Sequence, residues 1–163
     1  VWWSKATPET DKPLSAEDIV LSILYAERGK PIRGKLVFMK TVFLSIKQVF
    51  REYEREFRFI PYDYGPYSQT FARILNELLE RGLVESSVAD IGEGKIRYDY
   101  CLTSSGRTKA GLSYGKLSLD QKSTLENLKM QLAELGYRDF LRYVYARYPE
   151  YAVSSKIRAE ING

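Results

Sequence analysis

A change of rhythm at Gly82 constrains this chain more than any other feature. Upstream of it, Phe71, Ile74, Leu75, Leu78 and Leu79 recur at i, i+3, i+4, i+7 and i+8, which lines one side of an α-helix with apolar groups. Downstream, Ile96, Tyr98, Tyr100 and Leu102 alternate with Arg97, Asp99 and Cys101, the period of a half-buried strand. Ser68 stands where a helix N-cap belongs. Gly82 suits the left-handed residue that closes a helix, since it has no Cβ to clash there. Leu83 and Val84 begin a first strand, and the glycines of "ADIGEGK" have the spacing of a hairpin tip.

Two helices are expected ahead of this unit. Ser15 and Asp18 have capping-box spacing, and Ile19 and Ile23 give a first helix over 15–28 its buried side, ended by "RGKPIRG". In "KLVFMKTVFLSIKQVFREYEREF", Leu36, Met39, Phe43, Ile46, Phe50, Tyr53 and Phe57 recur at three- and four-residue steps, as in a coiled-coil seam. Phe38, Val42 and Val49 widen that arc, and a seam is narrow, so the pattern favours a central buried helix over 36–56. Residues 57–64 read as extended, punctuated by Pro61 and Gly65-Pro66. Helix, helix, helix, strand, wing, strand is the order of a winged helix-turn-helix. The predicted fold is therefore mainly α with a small β-hairpin wing, a winged helix-turn-helix domain over 14–110. A polar tail over 1–13 precedes it. A C-terminal helical extension over 111–163, suited to dimerisation or partner binding, follows from the spacing of Leu125, Leu128, Leu132 and Leu135 and from a break near Pro149.

The lysine-bearing apolar stretch "KLVFMKTVFL", followed by "FRFIPYDYGPYSQTFARILNELLERGLVE", resembles the YwgA-like proteins and the related SocA-like (Panacea) antitoxin-associated domain of prokaryotes. The specific part is the aromatic-Gly-Pro turn before a helix, Tyr64 to Ser68. "LTSSGR", Leu102 to Arg107, is similar to the end of many winged-helix regulators. The resemblance covers about residues 15–110 and implies a winged-helix fold with either a DNA-binding or a protein-binding role. It brings no catalytic residue.

Function is narrowed by what the composition lacks. The chain has no histidine and one cysteine, which removes the commonest general base and metal ligand, any internal disulfide and any zinc cluster. Ser113-Tyr114-Gly115-Lys116 fits the spacing of a lysine-activated serine, but its companion motifs are absent, and "GEGK" lacks phosphate-loop spacing. No enzyme activity, metal or cofactor is expected. The net charge is only +4, from 25 basic and 21 acidic residues, so a nucleic-acid surface has to come from the placement of charge in space. No apolar run approaches membrane length, and the location expected is cytoplasmic, without a membrane partner.

On the winged-helix reading the first turn of the third helix meets base edges. Ser68, Gln69, Thr70 and Arg73, with Asn76 one turn on, would face double-stranded DNA. Lys95 and Arg97 on the wing, with Arg33, Lys35 and Lys40 near the second helix, would hold phosphates. The expectation is a homodimeric transcriptional regulator. The alternative is a protein-interaction module on the same fold, because Arg73, Glu77 and Arg81 also make an ordinary exposed ion-pair ladder. Tyr62, Tyr64 and Tyr67 are expected to pack the Gly-Pro turn against the core.

Overall fold

A computed structural model describes residues 14–152; the tail expected over 1–13 and the end of the expected C-terminal extension lie outside the described residues. The protein is mainly helical with a small antiparallel sheet. Helix α1 (Ala16–Gly29) opens on the capping box: Ser15 Oγ accepts from Asp18 N, and Asp18 Oδ2 accepts from Ser15 N. Regular helical geometry ends near Tyr25. Glu27, Arg28 and Gly29 then take left-handed φ values of 58°, 58° and 68°. Two of these are ordinary L-residues, each costing about 1–2 kcal/mol in that conformation. The turn is held from helix α6 (Leu119–Ala133). Glu126 accepts from Glu27 N at 2.9 Å, and the buried Lys129 donates to Leu24 O and Ala26 O at 2.9 and 2.6 Å. Lys129 thus supplies the donor that carbonyls at a helix C-terminus otherwise lack, and Glu126 satisfies an amide of the turn.

After strand β1 (Ile32–Arg33), helix α2 (Lys35–Gln48) runs through the centre and is buried on every side from Phe38 to Ile46. The wide apolar arc has a direct cause. One side of α2 packs with α1 and with helix α4 (Gln69–Glu80), through Phe38, Val42 and Phe71. The other side packs with α6 and helix α7 (Tyr137–Arg147), through Phe43, Leu44, Leu132 and Phe140. The helix stops at Gln48 rather than 56. Phe50, Tyr53 and Phe57 still reach the core, but from a 3-10 turn over Arg51–Tyr53 and a short helix α3 (Glu54–Phe57). Tyr53 is anchored by its hydroxyl, which donates to Leu14 O at 2.7 Å. Three- and four-residue steps are satisfied by such turns as well as by one continuous helix, which is why the spacing overran.

The segment expected to be extended is a hairpin, β2 (Ile60–Tyr62) with β3 (Gly65–Tyr67). Gly65 has φ +99°, and a Cβ there would stand 3.0 Å from the Tyr145 ring and 3.3 Å from Lys40 Cε. Tyr67 is half-buried, whereas Tyr62 and Tyr64 are exposed, so only part of this aromatic group packs the turn.

Beyond α4, strands β4 (Val84–Gly92) and β5 (Lys95–Leu102) form the expected hairpin, and β1 adds to β5 to give the antiparallel order β1-β5-β4. Ile32 lies opposite Tyr100, Val84 opposite Leu102, and a bulge falls between Asp90 and Gly92. Helix α5 (Ser104–Gly115) follows without a break at residue 110. Gly106 lets α5 cross close over the hairpin base, since a Cβ there would sit 1.8 Å from Leu83 O. The alternation along β5 fixes its faces, but only its inner half is buried. Tyr100 and Leu102 are covered; Ile96 is 53% exposed and Tyr98 45%.

Candidate interaction surface

Helix α4 is built as its sequence requires, with Phe71, Ile74, Leu75 and Leu78 buried and Ser68 as N-cap. That cap removes Ser68 from any reading face. The residue is fully buried, its Oγ accepting from Phe71 N and donating to Phe57 O. An N-cap side chain turns toward its own helix, and here it also ties the chain leaving α3, so the expected base contact by Ser68 is corrected. Gln69, Arg73 and Asn76 are exposed and Thr70 is half-buried, along one outer face. The arginines of that face are answered by carboxylates. Arg73 pairs with Glu77 at 3.2 Å, and Arg81 reaches Glu17 on α1 at 2.5 Å. With Glu80 also exposed, the outer face of α4 has no surplus of positive charge.

The other expected contact residues gather elsewhere. Arg33, Lys35 and Arg97 line one side of a cleft of about 1020 Å³. Its walls are the outer half of the β4-β5 hairpin, β1 with the first turn of α2, and the end of α6 with the start of α7. Gln69, Thr70, Arg73 and Asn76 do not line it. Lys95 sits at the hairpin tip, exposed. Arg97 is held by a two-point ion pair with Asp99, at 2.6 and 2.9 Å, which keeps the guanidinium firmly charged. Arg33 lies across the ladder from Asp99. Among the described residues, Arg33, Lys35 and Lys95 form no ion pair. Lys40 is not with them. It is 2% exposed, and burial lowers its pKa to about 8, so the expected phosphate contact by Lys40 is also corrected.

The cleft is apolar between its charged edges. Leu36 and Tyr137 are exposed on either side of it, and Ile91, Ile96 and Tyr98 form the hairpin wall. Val88, opposite Tyr98 in the ladder, is 61% exposed and Ile91 53%. Lys30 extends the basic edge and is paired with Glu27 at 3.3 Å. Sequence reasoning missed this site because its parts come from three separated segments. The one available signal was that β5 keeps its apolar alternation past the point where a two-residue β1 can cover it.

Ser113 Oγ donates to Asp18 Oδ1 at 2.7 Å, which ties α5 to α1. Burial opposes the charged form of Asp18, but hydrogen bonds from Ser113 and Ser15 and the nearby Lys109 outweigh it, and its pKa is lowered. Burial and the adjacent Glu85 push the Cys101 thiol up, away from thiolate chemistry. Among the described residues no three His, Cys, Asp or Glu side chains cluster to hold a metal, and no helix is long and apolar enough to cross a membrane. Compared with protein-family models, with curated proteins and with solved structures, the chain matches none.

Proposed function

We propose that this protein is a non-catalytic binding module on a winged-helix framework, and that it works by gripping another protein at the cleft face. The element order α1, β1, α2, α4, β4, β5 and the sheet order β1-β5-β4 support the winged-helix reading. The β2-β3 hairpin is then an insertion ahead of α4. The likeness of Tyr64–Ser68 to the YwgA-like and SocA-like proteins is consistent with it.

One observation carries the protein-binding reading: the outer half of the hairpin presents Val88, Ile91, Ile96 and Tyr98 to solvent, next to a cleft with further exposed apolar groups. A contiguous apolar patch of this kind marks an interaction surface, whereas a wing that grips DNA presents cations to phosphate. The neutral outer face of α4 points the same way. The experiment is affinity isolation with the full chain under nuclease. A single stoichiometric protein partner, lost when Ile96→Asp and Tyr98→Ser are introduced together, is the expected result.

A second reading, a DNA-binding transcriptional regulator acting as a homodimer, is favoured by Gln69 and Asn76 on the outer face of α4 and by Arg33, Lys35 and Lys95, which form no ion pair among the described residues. It requires binding to duplex fragments that weakens steeply with salt. Fluorescence anisotropy at low salt decides it: absence of binding there removes this reading, and light scattering at high concentration tests the dimer.

A further inference from the structure

We infer that the cleft takes an amphipathic helix of the partner whose apolar stripe is flanked by carboxylates. The inference rests on the protein-binding reading and names the occupant. The first argument is shape. A small-molecule pocket encloses most of its ligand within about 300–1000 Å³. This cleft, at about 1020 Å³, is at the upper end of that range, but it does not enclose: its walls at Leu36, Ile96, Tyr98 and Tyr137 are themselves open to water. A small ligand would remain half wet there. A helix laid between the hairpin wall and the α6-α7 wall would cover both, as amphipathic helices do in grooves of other proteins.

The second argument is charge. Lys30, Arg33, Lys35 and Arg97 stand along the β1-α2 edge of the cleft, against Glu27 and the Asp99 that pairs with Arg97. Lys129, also at the cleft, is buried and turned inward onto the carbonyls of Leu24 and Ala26, away from a partner. The surplus is positive, and Arg33 and Lys35 have no acidic partner among the described residues. Acidic residues beside the apolar stripe would satisfy them, steer the encounter and fix the direction in which the helix lies. A basic helix would meet repulsion at the same edge.

The test uses the full chain and a displayed library of eighteen-residue helical peptides, followed by anisotropy with the enriched sequences. The expected result is enrichment of sequences with Leu, Ile or Phe at i, i+3 or i+4, and i+7, flanked by Asp or Glu. Their affinity should fall at least about tenfold for the double variant Arg33→Glu, Lys35→Glu, and at least as much for Leu36→Asp. Circular dichroism of each variant establishes that the fold is retained, and Lys116→Glu, exposed at the end of α5 and away from the cleft, is the control expected to leave binding unchanged.

Several results would overturn the inference: no enrichment, enrichment of basic peptides, or binding unaffected by the cleft variants. It would also fall if the same charge reversals abolished duplex DNA binding instead, or if they broke a dimer of this chain, the cleft then being filled by a second copy. A protein partner that binds as tightly to the cleft variants as to the parent would defeat this assignment while leaving the protein-binding function standing.

Discussion

The inner and outer halves of strand β5 carry the same kind of side chain on the same face. Tyr100 and Leu102 are buried; Tyr98 and Ile96, two and four residues beyond Tyr100 toward the tip, are not. The difference lies in what stands beside them. At Tyr100, β1 pairs through Ile32 and the Phe38 ring of α2 closes to 5.5 Å. Past Tyr98, β1 has ended; Gly34 N makes its bond to Tyr98 O and the chain turns into α2. An alternating pattern thus reports which face of a strand is apolar and says nothing about whether that face is covered. Where cover stops and the pattern continues, the surplus apolar surface becomes available to another molecule.

The covered half should give the largest stability effect. Tyr100→Ala removes a buried ring packed on Phe38 and leaves a cavity at the centre of the first core, which should cost about 3 kcal/mol in urea unfolding. A cost below about 1 kcal/mol would mean that the inner half is no better packed than the outer one.

The covered side also holds a cation, which sharpens the contrast. Lys40 is buried in α2, and burial lowers its pKa to about 8. Lys40→Met keeps the volume and removes the desolvation, and should stabilise by roughly 1–3 kcal/mol at neutral pH. The pH dependence has a definite sign. Below pH 8 the ammonium is charged both folded and unfolded, and the penalty is fully present. As pH rises through about 8 the folded chain loses the proton while the unfolded chain keeps it, so stability rises toward pH 9.5. Lys129, whose pKa is also lowered to about 8, adds a slope of the same sign. Lys40→Met should therefore reduce the slope without abolishing it, and an unchanged slope in chemical denaturation between pH 7 and 9.5 would contradict the burial of Lys40.

Ser68 separates the two sides within a single helix turn. Ser68→Ala loses the cap to Phe71 N and the bond to Phe57 O and should cost about 1–2 kcal/mol. A residue that read bases would show the reverse: altered affinity for duplex DNA with stability preserved. Differential scanning calorimetry beside a DNA titration distinguishes the two.

How far the sequence revealed these features follows from the range of the signals. The hairpin, the stripe of α4 and the capping of α1 are local, set by spacing within a few residues, and each is present at its expected place. The turn that follows α2 is tied by the Tyr53 hydroxyl to Leu14, and Lys40 is buried beside Gly65, where Tyr145 also approaches, all far away in the chain. Of the expected contact residues, Arg33, Lys35 and Arg97 do meet, although what they surround is an apolar cleft that required α6 and α7 to form its other wall. No periodicity within β5 could announce that wall.

The smallest stability effect is expected in the outer half, and it is the most telling. Ile96→Ser and Tyr98→Ser remove side chains that are already about half in water, so each should shift unfolding by no more than about 0.5 kcal/mol. Strand propensity falls slightly with serine, but the cross-strand neighbour of Tyr98 is the exposed Val88, which loses little by the change. If the outer half exists to be covered by a partner, the same substitutions should cost most of the binding energy that the cleft supplies. A protein in which they lowered stability by 2 kcal/mol or more, and left partner binding intact, would be one whose hairpin is covered from within, and the contrast between its halves would vanish.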